Sequence, residues 1–189
     1  NQGLIILKSY MKKNLIDKIT NKSIKVGIIG LGYVGLPLAK RFIEKDFNVV
    51  GFDVDQTKLD LLNSGKSYIN HIKNNEISFI IDKGFTATKN FELINKIDVI
   101  IICVPTPLGI HNEPDLSYLF STLSTIKNYL TKNQVLILES TTYPGTTEEE
   151  IVPYIHDLEY KIGEDFFVGY SPEREDPGNL DYSTKTIPK

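Results

Sequence analysis

Between Lys25 and Asp53 an apolar run, KVGIIG, leads into Gly30-Leu31-Gly32-Tyr33-Val34-Gly35, and a second run, NVVGFD, ends on Asp53. Few chain paths accommodate that order. A strand, a glycine-rich turn, a helix and a second parallel strand make the βαβ unit that binds dinucleotides. Gly30 ends the strand in a tight turn, Gly32 leaves the backbone open to a pyrophosphate, and Gly35 lets the helix lie close on the sheet. The helix start then offers free N–H groups to the phosphates. Asp53 lies 18 residues beyond Gly35, at the tip of the second strand, where a carboxylate accepts hydrogen bonds from a ribose diol and repels a 2′-phosphate. The spacing predicts NAD over NADP.

The rest of the chain repeats the alternation. Strands are expected at 25–30, 48–53, 85–88, 97–103, 134–140 and 166–170, several as continuous apolar runs of the kind buried on both faces of a parallel sheet. Helices fit at 33–46, 56–64, 74–82, 115–131 and 146–158. Pro37 falls in a first helical turn, where its missing N–H is tolerated, and Gly65 and Gly84 follow their helices as stops. The pattern predicts an α/β fold with a doubly wound parallel sheet, a Rossmann-type NAD-binding domain over residues 25–189. Residues 1–24 read as an N-terminal extension, with an apolar patch at Leu4–Leu7 and an amphipathic helix carrying Leu15, Ile16 and Ile19 on one face.

Composition narrows the function classes. A net charge of −3 over 189 residues gives no electrostatic basis for binding nucleic acid or an anionic membrane. Cys103 is the single cysteine, which excludes an internal disulfide or a cysteine zinc cluster and fits a reducing, cytoplasmic setting. The longest apolar stretch, Val99 to Val104, is far short of the roughly 20 residues of a membrane span. His71, His111 and His156 share no ligand spacing, so no metal is expected.

In a doubly wound sheet the ligand lies outside the carboxyl ends of the strands. Three further loops leave from those ends: Val104-Pro105-Thr106-Pro107, Glu139-Ser140-Thr141-Thr142-Tyr143-Pro144-Gly145-Thr146, and Ser171-Pro172-Glu173-Arg174-Glu175-Asp176-Pro177-Gly178-Asn179. Read alone, Ser140 and Thr141 serve equally well as helix caps or turn residues, Pro105 and Pro107 as turn stiffeners, and Lys58 as a solvated helix lysine. Together with GLGYVGLPLA and FDVD, however, these loops resemble the UDP-glucose/GDP-mannose dehydrogenase family. The form of the last loop is most similar to the branch that oxidises UDP-N-acetylhexosamines, UDP-N-acetylglucosamine in particular.

The resemblance implies roles for individual residues. Gly30, Gly32, Tyr33, Val34 and Gly35 would form the pyrophosphate loop, Asp53 would bind the adenosine ribose, and Lys58 would stand near the cofactor. Val104, Pro105 and Thr106 would run along the cofactor, and Ser140 would touch it. Thr141 would help to position a water at the reacting carbon, and Glu173 would meet the substrate and assist proton transfer and thioester hydrolysis. The implied reaction converts the C6 alcohol of a nucleotide sugar to a carboxylate with two NAD per turnover, through a cysteine thioester, in surface polysaccharide biosynthesis. Cys103 is a poor nucleophile, because it sits inside an apolar strand. The family's nucleophilic cysteine, catalytic lysine and partner aspartate belong to later segments, so the expectation is an N-terminal portion that binds NAD without turnover. The complete enzyme, a homodimer or larger, would add central helical and nucleotide-sugar domains.

Overall fold

The computed structural model describes residues 12–109 and 113–172. Leu4–Leu7, His111 and the final loop from Glu173 onward lie outside the described residues. Six strands, β1 (Lys25–Ile29), β2 (Asn48–Phe52), β3 (Thr86–Thr88), β4 (Val99–Ile102), β5 (Val135–Leu138) and β6 (Phe167–Tyr170), form one sheet in the order β3-β2-β1-β4-β5-β6. Every pairing is parallel. The order reverses between β1 and β4, and a crevice opens at such a switch point beyond the strand ends.

Apolar residues on both sides of the strands explain why the sheet is covered on both faces. Ile28 packs into a cluster with Leu36, Leu59, Leu62 and Ile77, whereas Ile100 packs into a second cluster with Leu119, Leu123, Ile126 and Ile155. The first cluster holds α2 (Gly35–Ile43), α3 (Gln56–Asn63) and α4 (Asn74–Asp82). The second holds α5 (Ser117–Ile126) and α6 (Val152–His156). Gly65 and Gly84 end α3 and α4 with φ of 75° and 94°, left-handed values that glycine adopts without strain.

Three elements depart from expectation. The link from β3 to β4 is a 3₁₀ segment, Phe91–Lys96, capped by Asn90; the chain between these strands is too short for a full crossover helix, and no periodicity announces a single tight turn. The helix expected over 115–131 stops at Ile126 and tightens into 3₁₀ geometry over Lys127–Tyr129. The helix expected over 146–158 divides into a π segment, Thr147–Ile151, and the α-turns of α6, where Val152 N–H reaches the Thr147 carbonyl. Pro153 has no N–H for the carbonyl of Glu149, and a widened turn beside the proline absorbs that missing bond.

A helix over residues 12–20, α1, lies beneath the amino end of the sheet. Leu15 is buried, but Ile16 and Ile19 are 51% and 47% exposed, so the apolar face expected to contain all three reduces to Leu15. Charge completes the attachment. Lys18 Nζ stands 2.5 Å from Asp98 Oδ1, and Asp98 Oδ2 accepts the Lys25 N–H at 2.8 Å. No helix among the described residues is long and apolar enough to cross a membrane.

Candidate functional site

The glycine-rich turn is held from two sides. Gly30 has φ +92°, and a Cβ there would lie 2.7 Å from the Cys103 carbonyl oxygen; a Cβ on Gly35 would lie 1.9 Å from the carbonyl oxygen of Gly30. Both glycines are demanded by the protein's own packing. A Cβ on Gly32 would meet nothing within 4 Å, so this glycine borders open space. That space is a cradle that a side chain would fill. Behind it α2 begins at Val34 with no side-chain cap and no acid in its first turn, while Lys40 and Arg41 occupy its last turn. An uncapped helix start of this kind favours an anion.

Asp53 is 7% exposed at the end of β2. Its Oδ2 accepts the Leu31 N–H at 2.9 Å and its Oδ1 accepts the Asp55 N–H at 3.0 Å. Each oxygen keeps acceptor capacity for a ligand. Asp55 caps α3 by accepting the N–H groups of Thr57 and Lys58, and the helix so started brings Lys58 Nζ to 3.5 Å from Asp53 Oδ2. The same ammonium stands 5.9 Å from the centre of the Tyr68 ring. The Tyr68 hydroxyl donates to the Leu31 carbonyl. Burial first, and then the negative charges of Asp53 and Asp55, push the Tyr68 phenol well above the ordinary tyrosine value, so it remains a neutral donor.

The opposite wall comes from the ends of β4 and β5. Ser140, 5% exposed, donates through Oγ to the Val104 carbonyl at 2.7 Å and so ties the two strand ends together. Thr141 beside it is exposed. A cavity of about 720 Å³ lies between the walls, bordered by Gly30, Gly32, Tyr33, Val34, Asp53, Lys58, Val104, Pro105, Thr106, Ser140 and Thr141. Of the described candidates only Gly35 is absent from the lining; it sits behind the turn, against Gly30. The volume, the open glycine and the uncapped helix start fit a dinucleotide.

The sequence profile of the UDP-glucose/GDP-mannose dehydrogenase family, NAD binding domain, matches residues 24–189. The chain belongs to this family. It is 40% identical over 169 residues to a UDP-N-acetyl-D-glucosamine 6-dehydrogenase of Pseudomonas aeruginosa, covering 89% of this chain and 39% of that protein. Protein CapL of Staphylococcus aureus is 40% identical over 165 residues, with 87% of this chain and 38% of the relative covered. Among solved structures, a UDP-D-ManNAc dehydrogenase from Pyrococcus horikoshii superposes with a TM-score of 0.76 at 34% identity, over 82% of this chain and 37% of the other. The chain thus spans about two-fifths of the length of these curated relatives, and the matched portion is the family's NAD-binding domain. NAD is its cofactor.

Several residues that border the cavity escape a reading by motif. Tyr68 and Phe91 border it, as do Tyr118, Ser121, Thr122 and Thr125 on α5, and Glu139 at the end of β5. The α5 stripe was detectable in principle: these small polar residues recur at helical spacing opposite buried Leu119, Leu123 and Ile126. Thr122 and Thr125 turn their hydroxyls back to the carbonyls of Tyr118 and Ser121, both at 2.8 Å. Tyr68 had no such signal. Cys103, expected inside the strand, lies one residue beyond the end of β4 and borders the cavity; it is 7% exposed and forms no disulfide. Asp115, one residue before the N-cap of α5, accepts the Ser117 N–H at 2.8 Å in the turn that leads into the helix. Among the described residues no cluster of histidine, cysteine and acidic side chains could hold a metal.

Proposed function

We propose that this chain supplies the NAD site of an enzyme that oxidises the C6 alcohol of a UDP-N-acetylhexosamine, UDP-N-acetylglucosamine first among them, to the uronic acid for surface polysaccharide. The observation that carries the cofactor half of this reading is the Asp53 carboxylate, fixed by Leu31 on the wall of the cavity beside the open Gly32. The 40% identity to a UDP-N-acetyl-D-glucosamine 6-dehydrogenase supports the substrate half. A UDP-N-acetyl-D-mannosamine dehydrogenase of Pyrococcus horikoshii at 34% identity makes the mannosamine epimer the second reading.

In this proposal Gly30 and Gly35 shape the turn, and Gly32, Tyr33 and Val34 receive the pyrophosphate. Asp53 accepts the adenosine ribose hydroxyls, with Lys58 bracing the carboxylate. Val104, Pro105 and Thr106 line the path towards the reacting end. Ser140 holds the ends of β4 and β5 together there, and exposed Thr141 orients a water. Glu173 completes the set as the proton-transferring carboxylate. When bound there, NAD would supply the hydride acceptor, two molecules being used per turnover. The enzyme is proposed to act as a homodimer or larger assembly in the cytoplasm.

Calorimetric titration of the 189-residue chain with NAD and NADP tests the cofactor half. Saturable binding of NAD, with NADP at least about 100-fold weaker because Asp53 repels a 2′-phosphate, is expected. Equal affinity for the two would refute the role given to Asp53. Turnover of UDP-N-acetylglucosamine in preference to its mannosamine epimer by the enzyme containing this chain tests the substrate half.

A further inference from the structure

The connection from α3 to α4 runs over residues 64–73 and turns back towards the glycine-rich loop. Ile69 and Ile72, 2% and 5% exposed, root it in the core. The Ser67 N–H donates to Asn74 Oδ1 at 2.8 Å and the Ile69 N–H donates to Ser67 Oγ at 3.1 Å, which stiffens the backbone on either side of Tyr68. Two side chains from this rooted segment meet the loop: the Tyr68 hydroxyl donates to the Leu31 carbonyl, and the His71 ring lies 6.3 Å from the ring of Tyr33.

Leu31 is held at every available point. It is 0% exposed, its N–H goes to Asp53 Oδ2, and its side chain lies so close over Gly51 that a Cβ there would stand 2.8 Å away. Its carbonyl is the remaining degree of freedom. A trans peptide is planar, so the direction of the Leu31 carbonyl sets that of the Gly32 N–H on the opposite edge of the same plane. Gly32 is the residue facing the open cradle, and with no Cβ it does little to restrain its own peptide. Restraint must come from a partner of the carbonyl.

We propose that Tyr68 is a positioning residue for the dinucleotide: its hydroxyl holds the Leu31–Gly32 peptide in the orientation that receives the pyrophosphate, before the cofactor arrives. The inference rests on the assignment of the pyrophosphate to the Gly30–Gly35 turn. Without the hydroxyl, a buried carbonyl loses its donor and the peptide is free to rotate. Binding must then reorder it, and affinity falls by the cost of that ordering.

The test compares the wild-type chain with Tyr68→Phe, which keeps the ring and its place beside Lys58 and removes only the donor. Titration with NAD and with ADP is expected to show Kd raised about fivefold for each, the scale of one hydrogen bond. Adenosine, which has no phosphates, is expected to bind both proteins equally. The melting temperature should fall by only about 2–4 °C, the scale of one hydrogen bond in a chain of this size. An unchanged Kd for NAD in Tyr68→Phe would overturn the proposal, and so would an equal loss for adenosine, because either removes the link to the pyrophosphate. Wild-type protein that fails to bind NAD would instead overturn the site assignment itself, and the positioning role with it.

Discussion

Asp53 and Asp98 are chemically alike and differ in what lies beside them. Each carboxylate accepts a backbone N–H from a neighbouring strand end, Leu31 at 2.9 Å for Asp53 and Lys25 at 2.8 Å for Asp98, and each stands beside a lysine. Asp98, at the amino end of β4, is closed over by α1 and has a 2.5 Å contact to Lys18. Asp53, at the carboxyl end of β2, has its lysine at a looser 3.5 Å and borders the cavity. A carboxylate–lysine pair therefore does not make a binding site. The space left beside it does, and parallel strands leave that space only at their carboxyl ends.

The contrast can be broken by experiment. Asp98→Ala leaves the Lys25 N–H without its side-chain acceptor and Lys18 without its partner, so unfolding free energy should fall by about 2–3 kcal/mol. NAD affinity should hold; a thermal melt and a titration on the same sample separate the two. Asp53→Ala should also lose stability, because the Leu31 and Asp55 N–H groups lose their acceptor, but NAD affinity should fall with it, about thirtyfold, or about 2 kcal/mol, for the loss of charged hydrogen bonds to the ribose. If Asp53→Ala instead destabilises the fold as much as Asp98→Ala and binds NAD normally, the two carboxylates have one role. Gly32→Ala sharpens the site side further. Its Cβ meets no protein atom, so the melting temperature should hold while NAD weakens about tenfold through the obstructed cradle. Ala that binds as tightly as Gly would mean that the pyrophosphate lies elsewhere.

Glu76 marks the small end of the scale. Its carboxyl is held below the usual glutamate value by the hydrogen bond from the Lys40 ammonium and by the Lys73 N–H. A carboxyl lowered in the folded state contributes stability that is complete above its unfolded value, about 4.3, and is lost as the pH falls towards the lowered value. Glu76→Gln should therefore cost about 0.5 kcal/mol at pH 7 and progressively less in acid. A difference that grows as the pH falls would contradict this linkage. Denaturation followed at pH 7 and pH 3 supplies the measurement.

Much of the fold was legible because its signals are local. Continuous apolar runs mark strands covered on both faces, and the observed strands fall within the expected ones, shortened at their ends where side chains leave the sheet. The α4 boundaries, Asn74–Asp82, coincide with those read from sequence. The π segment was hidden because Pro153 acts on a bond four residues upstream, and the exposure of Ile16 and Ile19 because helical spacing says which residues share a face but not which part of it the sheet covers.

The site divides along the same line. Glycine spacing and the acid at Asp53 are local requirements of a strand–turn–helix–strand unit, so the chain carries them in plain order and they point to NAD without a structure. Tyr68 lies 37 residues from the carbonyl it holds, and the polar face of α5 borders the same cavity as the glycine-rich turn only because the strand order reverses between β1 and β4. Such pairings have no period and no fixed spacing. The sequence alone determined which chemistry the first βαβ unit can hold, through local backbone geometry. Tertiary structure decided which distant side chains hold that unit in shape, because only packing across the sheet brings them within hydrogen-bond reach.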